Sequence, residues 1–357
     1  MSSENSTVIS RIREGVVREL TEFLNDNGRY LEGISSELAP VTESLKDFLL
    51  VGGKRFRPIF AYIGYLGAGG NENDSALKAC ASLELLQACA LIHDDLMDGS
   101  DTRRNQPSIH KRFEALHTKS AFQGNAQQFG LSSAVLLGDL ALIWSDAMLN
   151  QASLGDDVHR KVFAIHDEMR IELMAGQYLD VFEQTQMSKS VERALRIARY
   201  KSGKYSIERP LHFGAAMAHY EGDIAAVYSA YGLPLGEAFQ LRDDLLGVFG
   251  DPSETGKPAG DDLREGKRTV LIALASERGS EQEKAAIDRL LGKPQITSAE
   301  ISQLQSIIAS TGAVTEVERM INSLTDQAIA ALNSPELNSH GKSLLTDLAI
   351  IATQRSK

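Results

Sequence analysis

The 357-residue sequence has few cysteines and no long uncharged apolar run. Its two cysteines, Cys80 and Cys89, lie nine positions apart within one helical pattern. Because they would point in different directions from that helix, we expect no disulfide between them and interpret both as core residues of a reduced, cytoplasmic protein. The first residues lack a basic segment followed by an apolar run, so no secretory signal is expected. The missing run of about 18 uncharged apolar residues argues against a membrane span.

Positive charge is also scarce. The sequence has 37 Lys and Arg residues against 48 Asp and Glu residues, which gives a net charge of −11. Nucleic acid and anionic membrane surfaces are therefore not expected as partners. A small polyanionic ligand is compatible with this charge, because a local cluster of cations together with a metal ion can override the overall sign.

Alternating apolar and polar runs bounded by hairpin turns are absent, and so are fixed-period repeats, so strands are not expected. Helical periodicity instead fills most of the chain, in the ranges 7–24, 38–50, 131–149, 159–182, 191–217, 224–248 and 269–276. Hydrophobic residues make up 43% of the sequence, which is enough for a large core. We predict an all-α fold with a single domain, residues 1–357, built as a bundle of about 12–14 helices around a central cavity.

One stretch of this helical pattern breaks the usual rules of helix electrostatics. It is largely apolar up to Ile92 and then concentrates acids near a helix C-terminus, at Asp94, Asp95, Asp98 and Asp101. At a helical period of 3.6 residues, Asp94, Asp98 and Asp101 share one face. Like charges at this spacing repel, and the helix end itself carries partial negative charge. Divalent cations such as Mg²⁺ would offset the repulsion and leave places for substrate phosphates. The alternative is a solvated acidic helix end.

A second acidic pair, Asp243 and Asp244, lies on another apolar helix close to its end. The loop that follows carries the acids Asp261 and Asp262 together with the cations Lys257 and Lys267. Two acidic pairs on separate apolar helices suggest that the helices face each other across a cavity, as in other bundle sites. Asp261 and Asp262 either reach the water shell of a metal ion or pair with the neighbouring lysines.

Six motifs occur in the order that is typical of one enzyme family. They are GGKRFRP at 52–58, DDLMD at 94–98 followed by two arginines, GQYLD at 176–180, Lys201-Ser202, FQLRDD at 239–244, and GKPAGDD at 256–262 with its later GK pair. Together they make the chain resemble the trans-prenyltransferases, or polyprenyl diphosphate synthases, which lengthen isoprenoid chains. Within that family, it is most similar to bacterial geranylgeranyl diphosphate synthases.

The resemblance implies a role for each matching residue. Three Mg²⁺ ions would be held by Asp94, Asp95, Asp98, Asp243 and Asp244. The allylic diphosphate would be bound by Arg103, Lys201, Gln240, Lys257 and Lys267. Isopentenyl diphosphate would be bound without metal, by Lys54, Arg57, Gln87 and Arg104. As catalytic residues, Lys201 would assist the departure of the allylic diphosphate, while backbone carbonyls and the side chains of Ser202 and Gln240 would stabilise the resulting carbocation by their dipoles.

Three positions depart from the family pattern. Gly247 stands where a third aspartate is common, which makes Asp244 less certain as a direct ligand. Gln87 stands where many relatives have a histidine near isopentenyl diphosphate, and it can still donate a hydrogen bond. Ser202 replaces a common threonine and keeps the hydroxyl group.

Product length is expected to depend on the residues upstream of Asp94, where short-chain relatives often carry an aromatic side chain. Here those positions hold Cys89 and Ala90, which are small. We therefore predict a twenty-carbon product, with a longer or a fifteen-carbon product as alternatives. The family resemblance also predicts a homodimer. Two other functions fit an aspartate-rich α-bundle, an isoprenoid cyclase and a non-catalytic subunit of a heteromeric synthase, but the GGKRFRP stretch argues against the cyclase.

Overall fold

The computed structural model describes residues 3–186, 189–218, 222–251 and 259–354. The first half of the chain forms α1 (Ser3–Ile34), a 3-10 turn (Ser36–Leu38), α2 (Ala39–Leu50), α3 (Phe56–Gly67), α4 (Asp74–Met97), β1 (Thr102–Arg103), β2 (Gln106–Pro107), α5 (Ile109–Lys119) and α6 (Ala126–Asn150). The second half forms α7 (Asp156–Gln186), α8 (Val191–Ile197), a π-helix (Ala198–Glu208), α9 (Arg209–Met217), α10 (Ile224–Phe249), α11 (Asp261–Glu265), α12 (Val270–Arg278), α13 (Glu281–Leu290), α14 (Ser298–Ser310), α15 (Ala313–Ala331) and α16 (Ser339–Thr353). The prediction of an all-α fold is confirmed.

Local sequence explains where several of these helices begin. The side chain of Asn73 accepts a hydrogen bond from the backbone of Ala76 at the start of α4, and Asn125 caps α6 in the same way. Such caps satisfy backbone N–H groups that have no partner within the helix. Ser280 and Thr297 go further and form reciprocal capping boxes at the starts of α13 and α14.

The only strands in the described ranges are β1 and β2, which pair in an antiparallel ladder of two residues each. The turn between them consists of Arg104 and Asn105, both with positive φ, of 53° and 61°. This backbone geometry closes tight hairpins. The expectation of no strands missed this ladder because each strand is too short to show an alternating pattern.

The range predicted as one helix, 191–217, changes its winding in the middle. Its central part is the π-helix, which carries Lys201 and Ser202. Glycines on neighbouring helices allow it to approach closely: a β-carbon at Gly176 of α7 would lie 2.4 Å from the Lys201 backbone nitrogen, and one at Gly236 of α10 would lie 2.4 Å from the Gly203 α-carbon. A π-helix held by its neighbours often marks a functional site.

Helices α3 and α4 lie at the centre of the main hydrophobic core, to which α1, α6, α7, α9 and α10 also contribute. A second buried cluster joins α8, the C-terminal half of α10, and α11 to α15. Helix α10 therefore connects the two clusters: its N-terminal half packs in the main core, and its C-terminal half, which carries Asp243 and Asp244, packs in the second cluster. The organisation as a single domain stays a prediction.

Two helices, α4 and α6, are long and apolar enough to cross a membrane by length and composition. In α4, 72% of the most apolar window is buried within the protein, so its apolar residues belong to the core. In α6 the buried share is 39%, and together with α7 this helix leaves an exposed apolar stripe of Val135, Leu136, Ile143, Ile171, Met174, Tyr178, Val181 and Phe182.

Candidate active site

A cavity of about 480 Å³ opens between α4, α7, the π-helix and α10. Asp94 lines one side of this cavity, and Asp243 and Asp244 line the other. The prediction that the two helices with acidic pairs face each other across a cavity therefore agrees with the structure. The remaining lining comes from cations of the 52–58 motif, the polar face of the π-helix and the segment after Gly260.

Asp94 is the acidic residue of the first motif that lines the cavity directly. Its carboxylate accepts hydrogen bonds from Gln177 Nε2 at 3.0 Å and from Arg103 Nη2 at 3.3 Å. Lys201 Nζ lies 3.3 Å away, and 2.6 Å from Asp180 on α7. Gln177 and Asp180, both from the GQYLD motif, therefore act together with Lys201 to orient the first aspartate.

Asp95 is turned away from the cavity and is fully buried. Arg103 binds it through two nitrogens, with Nε at 2.9 Å. Burial by itself would lower the pKa of Arg103, but the charges of Asp95 and Asp94 outweigh it and raise that pKa above its usual value. Arg103 thus stays charged between the two acids.

Asp98 closes the C-terminus of α4, and its side chain is 1% exposed. Lys267 Nζ lies 3.0 Å from it and also contacts Glu265 at 2.6 Å. Burial raises the pKa of Asp98 to about 6, although Lys267 acts in the opposite direction. The expectation that Asp101 shares this helix face is wrong, because α4 ends at Met97 and the Asp101 side chain is 71% exposed.

The second wall is dominated by Asp244, which is 4% exposed. Burial, together with the nearby charge of Asp262, raises the pKa of Asp244 to about 8. Gln240 donates a hydrogen bond from Nε2 to Asp244 Oδ1 at 2.7 Å. Gln240, Ser202 and Lys201 all line the cavity.

The missing third aspartate of this motif has a counterpart in space. A β-carbon at Gly247 would lie 1.9 Å from Asp262 Oδ2, so the Asp262 carboxylate occupies the volume that a side chain at position 247 would need. Asp262 lies on α11 and lines the cavity. A carboxylate is therefore present beside position 247, supplied by α11, although α10 itself carries a glycine there.

The cations of the 52–58 motif divide into two groups. Lys54 and Arg57 line the cavity. Arg55, which is 3% exposed, instead forms a buried ion pair with Glu84 at 2.6 Å and donates to the Leu49 carbonyl, with its backbone at φ 56°. It holds the loop to α4, so its function is structural.

Arg104, a predicted ligand of isopentenyl diphosphate, is not among the described residues that line the cavity. Arg104 donates hydrogen bonds to the backbone carbonyls of Phe48 and Val51 and packs on the Phe48 ring. Lys257 lies outside the described residues. Lys267 does line the cavity, beside Arg268.

Gln87 lines the cavity and accepts a hydrogen bond from the Tyr205 hydroxyl at 2.9 Å. The Arg57 guanidinium lies 4.2 Å from the centre of the Tyr205 ring and donates to Ser206. Sequence reasoning missed Tyr205 and Ser206, although they follow Lys201 by about one turn. That spacing was the available signal.

The two small residues upstream of Asp94 differ in position. Ala90 lines the cavity. Cys89 is fully buried, with its sulfur 3.8 Å from His93 Nδ1, and lies on the side of α4 that faces α6. Ala90 therefore lies on the side of α4 that faces the cavity, and Cys89 lies on the side that faces α6.

Among the described residues, no three acidic, histidine or cysteine side chains converge closely enough to hold a metal ion unaided. The carboxylates pair with Arg103, Lys201 and Lys267 instead. The donor set still fits Mg²⁺, because carboxylate oxygens line both sides of the cavity and this ion commonly takes its remaining ligands from substrate phosphates and water.

Comparison with known proteins shows what this arrangement is similar to. The family model described as Polyprenyl synthetase matches residues 39–308. Geranylfarnesyl diphosphate synthase of Aeropyrum pernix is 30% identical over 86% of this chain and 91% of the relative. Geranylgeranyl diphosphate synthase of Sulfolobus acidocaldarius is 31% identical over 77% and 78%. A crystal structure of geranylgeranyl pyrophosphate synthase from Corynebacterium glutamicum, complexed with isoprenyl diphosphate and magnesium, is 42% identical, with a TM-score of 0.94 over 97% of this chain and 99% of that one.

The raised pKa of Asp244 predicts a pH-dependent stability. Its carboxyl keeps a proton up to about pH 8 in the folded protein, whereas the unfolded chain releases it near the ordinary value of 3.8. Unfolding therefore releases a proton, and the free energy of unfolding falls as pH rises from about 4 to about 8. Asp244→Asn removes this contribution. Because a pKa difference of about four corresponds to about 5 kcal/mol, we expect the substitution to stabilise the protein in EDTA by up to that amount at pH 8, with little effect at pH 4.

Thermal unfolding of both proteins across this pH range measures the difference. Asp101→Asn is the matched control, since its side chain is exposed and pairs only with Lys111 at 3.4 Å among the contacts described. A stability difference for Asp244→Asn that does not change with pH would contradict the assignment of the buried proton.

Proposed function

Because the chain belongs to the polyprenyl synthetase family and is a trans-prenyltransferase, we propose that it condenses isopentenyl diphosphate with an allylic diphosphate to give geranylgeranyl diphosphate. Dimethylallyl, geranyl and farnesyl diphosphates are the allylic substrates. The single observation that carries the proposal is the shared cavity, with carboxylates on two facing helices and separate cations of the 52–58 motif beside them.

The allylic diphosphate would bind between the two acidic walls. Asp94 lies on one side and Asp243 and Asp244 on the other, with Asp95 and Asp98 behind the first. Divalent cations held by these carboxylates, three Mg²⁺ in our proposal, supply Lewis-acid neutralisation of the leaving diphosphate.

The side chains that pair with these acids would also bind the diphosphate. Lys201, Arg103 and Lys267 lie between the acidic walls and the cavity, so each can turn its N–H donors to diphosphate oxygens. Lys257 would add to this set. Ser202 and Gln240 present oxygen dipoles toward the prenyl chain, where they stabilise positive charge.

Isopentenyl diphosphate would bind at the opposite end of α4's polar face. Lys54 and Arg57 supply positive charge and Gln87 supplies an amide. Arg104, in the β1–β2 turn that packs against the end of α2, would assist. The double bond of the bound isopentenyl group attacks the allylic cation, a carbon–carbon bond forms, and a proton leaves to the released diphosphate, so no side-chain base is needed.

The apolar part of the cavity supports a product of at least twenty carbons. Ala90, Leu173, Ala194, Ile197 and Ala198 line it, and Ala90 offers no aromatic barrier at its level. Longer products are the alternative that this small side chain favours over a fifteen-carbon product.

A homodimer would cover the exposed apolar stripe of α6 and α7. Leu136 is 66% exposed and Ile171 is 70% exposed, and their neighbours repeat at helical spacing on both helices. A second copy offers the same stripe, as a two-fold interface requires. Free, buried Cys80 and Cys89 agree with a reducing, cytoplasmic location.

The function is tested by incubating the purified chain with Mg²⁺, isopentenyl diphosphate and each allylic starter, and measuring product chain length. We expect elongation to the twenty-carbon diphosphate, and a loss of about 10²- to 10³-fold in kcat for Asp94→Ala and Asp243→Ala. Asp101→Asn serves as the control and should keep activity within about twofold. A cyclic hydrocarbon, or inactivity until another chain is added, would contradict the proposal.

Chain length is tested at the two small residues upstream of Asp94. Ala90→Phe places a ring in the cavity wall, so the main product should become shorter, as measured by chromatography of the dephosphorylated products. Cys89→Phe is the comparison, because Cys89 faces α6 and not the cavity. An unchanged profile for Ala90→Phe, with a shorter product for Cys89→Phe, would place the tunnel on the α6 side.

The homodimer is tested by placing charge on the stripe. Leu136→Asp combined with Ile171→Asp should convert the protein to a monomer in sedimentation experiments, because two buried carboxylates would face their own copies. Tyr30→Asp, at an apolar residue of α1 that is 71% exposed, is the matched control and should leave the dimer intact. A wild-type protein that sediments as a monomer would exclude this interface.

A further inference from the structure

Tyr205 contacts two of the groups that we assign to isopentenyl diphosphate. Its side chain is almost fully buried on the π-helix, at 2% exposure. The hydroxyl donates to Gln87 Oε1 at 2.9 Å, and the ring lies beneath the Arg57 guanidinium at 4.2 Å. Arg57 also donates to the hydroxyl of Ser206, the next residue, at 2.7 Å. One residue pair on the π-helix therefore touches both a donor and a cation of the proposed binding site.

The direction of the Gln87 amide matters for an anionic ligand. A glutamine side chain has one oxygen that accepts and one NH₂ group that donates two hydrogen bonds. Because the Tyr205 hydroxyl binds the oxygen, the NH₂ group is the part left for the cavity. The opposite orientation would turn a partially negative oxygen toward the diphosphate. Burial raises the pKa of the Tyr205 phenol, so the hydroxyl keeps the proton that it donates.

The Tyr205–Gln87 hydrogen bond joins the π-helix to α4, and so does a second side-chain contact. Gln87 and Asp94 are seven residues apart on α4 and share a face, while Tyr205 and Lys201 are four apart on the π-helix. Tyr205 bridges to Gln87, and Lys201 bridges to Asp94 at 3.3 Å. Each bridge lies at one of the two proposed diphosphate positions.

We infer that Tyr205 is a positioning residue for isopentenyl diphosphate: its hydroxyl fixes the Gln87 amide with the NH₂ group toward the diphosphate, and its ring fixes the Arg57 guanidinium. The inference rests on the proposed function. It also explains how glutamine serves at a position where histidine is common, since an amide whose oxygen accepts from Tyr205 keeps its NH₂ group for the diphosphate.

The two contacts of Tyr205 can be tested separately. Tyr205→Phe removes the hydroxyl and keeps the ring, and we expect the KM for isopentenyl diphosphate to rise about 3- to 10-fold, with kcat and the allylic KM within about twofold. Tyr205→Leu removes both contacts and should raise the same KM further. Tyr231→Phe is the matched control, because it deletes a buried hydroxyl that donates to the Leu345 carbonyl at 2.7 Å, away from the cavity.

Substitutions of Gln87 test the amide direction. Gln87→Glu keeps an acceptor for the Tyr205 hydroxyl but replaces the NH₂ group with a charged oxygen, and should raise the isopentenyl KM on the order of 30-fold or more. In a Gln87→Ala background, Tyr205→Phe should have no further effect on that KM. Binding of isopentenyl diphosphate to each variant, measured by calorimetry, should weaken in the same order.

Several results would overturn the inference. These are equal increases of both substrate KM values in Tyr205→Phe, full additivity of Tyr205→Phe and Gln87→Ala, or wild-type binding in Gln87→Glu. Wild-type elongation is measured first, so a failure of the proposed function appears as an inactive wild-type enzyme. If only this inference fails, the wild-type enzyme is active and Tyr205→Phe leaves the KM for isopentenyl diphosphate unchanged.

Discussion

The site depends on neutralising several carboxylates that are withdrawn from water. Removing a carboxylate from water costs several kcal/mol unless a partner charge compensates. Here Arg103 compensates Asp95, Lys201 compensates Asp94, and Lys267 compensates Asp98. The same cations lie next to the space where a diphosphate would bind. In our proposal, Asp94, Asp95 and Asp98 would hold metal ions that supply positive charge, and Lys201, Arg103 and Lys267 would then donate to phosphate oxygens. Such an exchange of partners would keep the buried charge balanced.

This exchange requires Lys201 to lie within reach of both sides, and the π-helix provides that position. Its backbone approaches α7 at Gly176 and α10 at Gly236, at distances that a β-carbon would forbid. The wider winding also places Lys201 and Tyr205 on one face toward α4. The π-helix, on which we propose that Ser202 stabilises the carbocation, therefore contacts residues at both proposed diphosphate positions.

The fold and the main parts of the site could be predicted from the sequence because their signals are local. Apolar periodicity marks the helices, and the acids of Asp94 and Asp244 stand out on apolar helices. Tyr205 was missed because an aromatic residue in a helical pattern ordinarily indicates core packing. The family resemblance predicts that Arg104 binds isopentenyl diphosphate. In the structure Arg104 lies in a hairpin turn with positive φ and donates to the carbonyls of Phe48 and Val51. The direction of a side chain in such a turn depends on tertiary structure, and no periodic pattern in the sequence indicates it.

Gly247 shows why counting residues in a motif differs from counting charges in a site. The motif lacks its third aspartate, and by sequence alone the second wall is one carboxylate short. In space, Asp262 reaches from α11 into the volume beside Gly247, where a larger side chain would collide with it. Because Asp262 also helps to raise the pKa of Asp244, its charge already acts on the second wall. Gly247 therefore leaves room for the Asp262 carboxylate from α11, and the second wall keeps a carboxylate at this place.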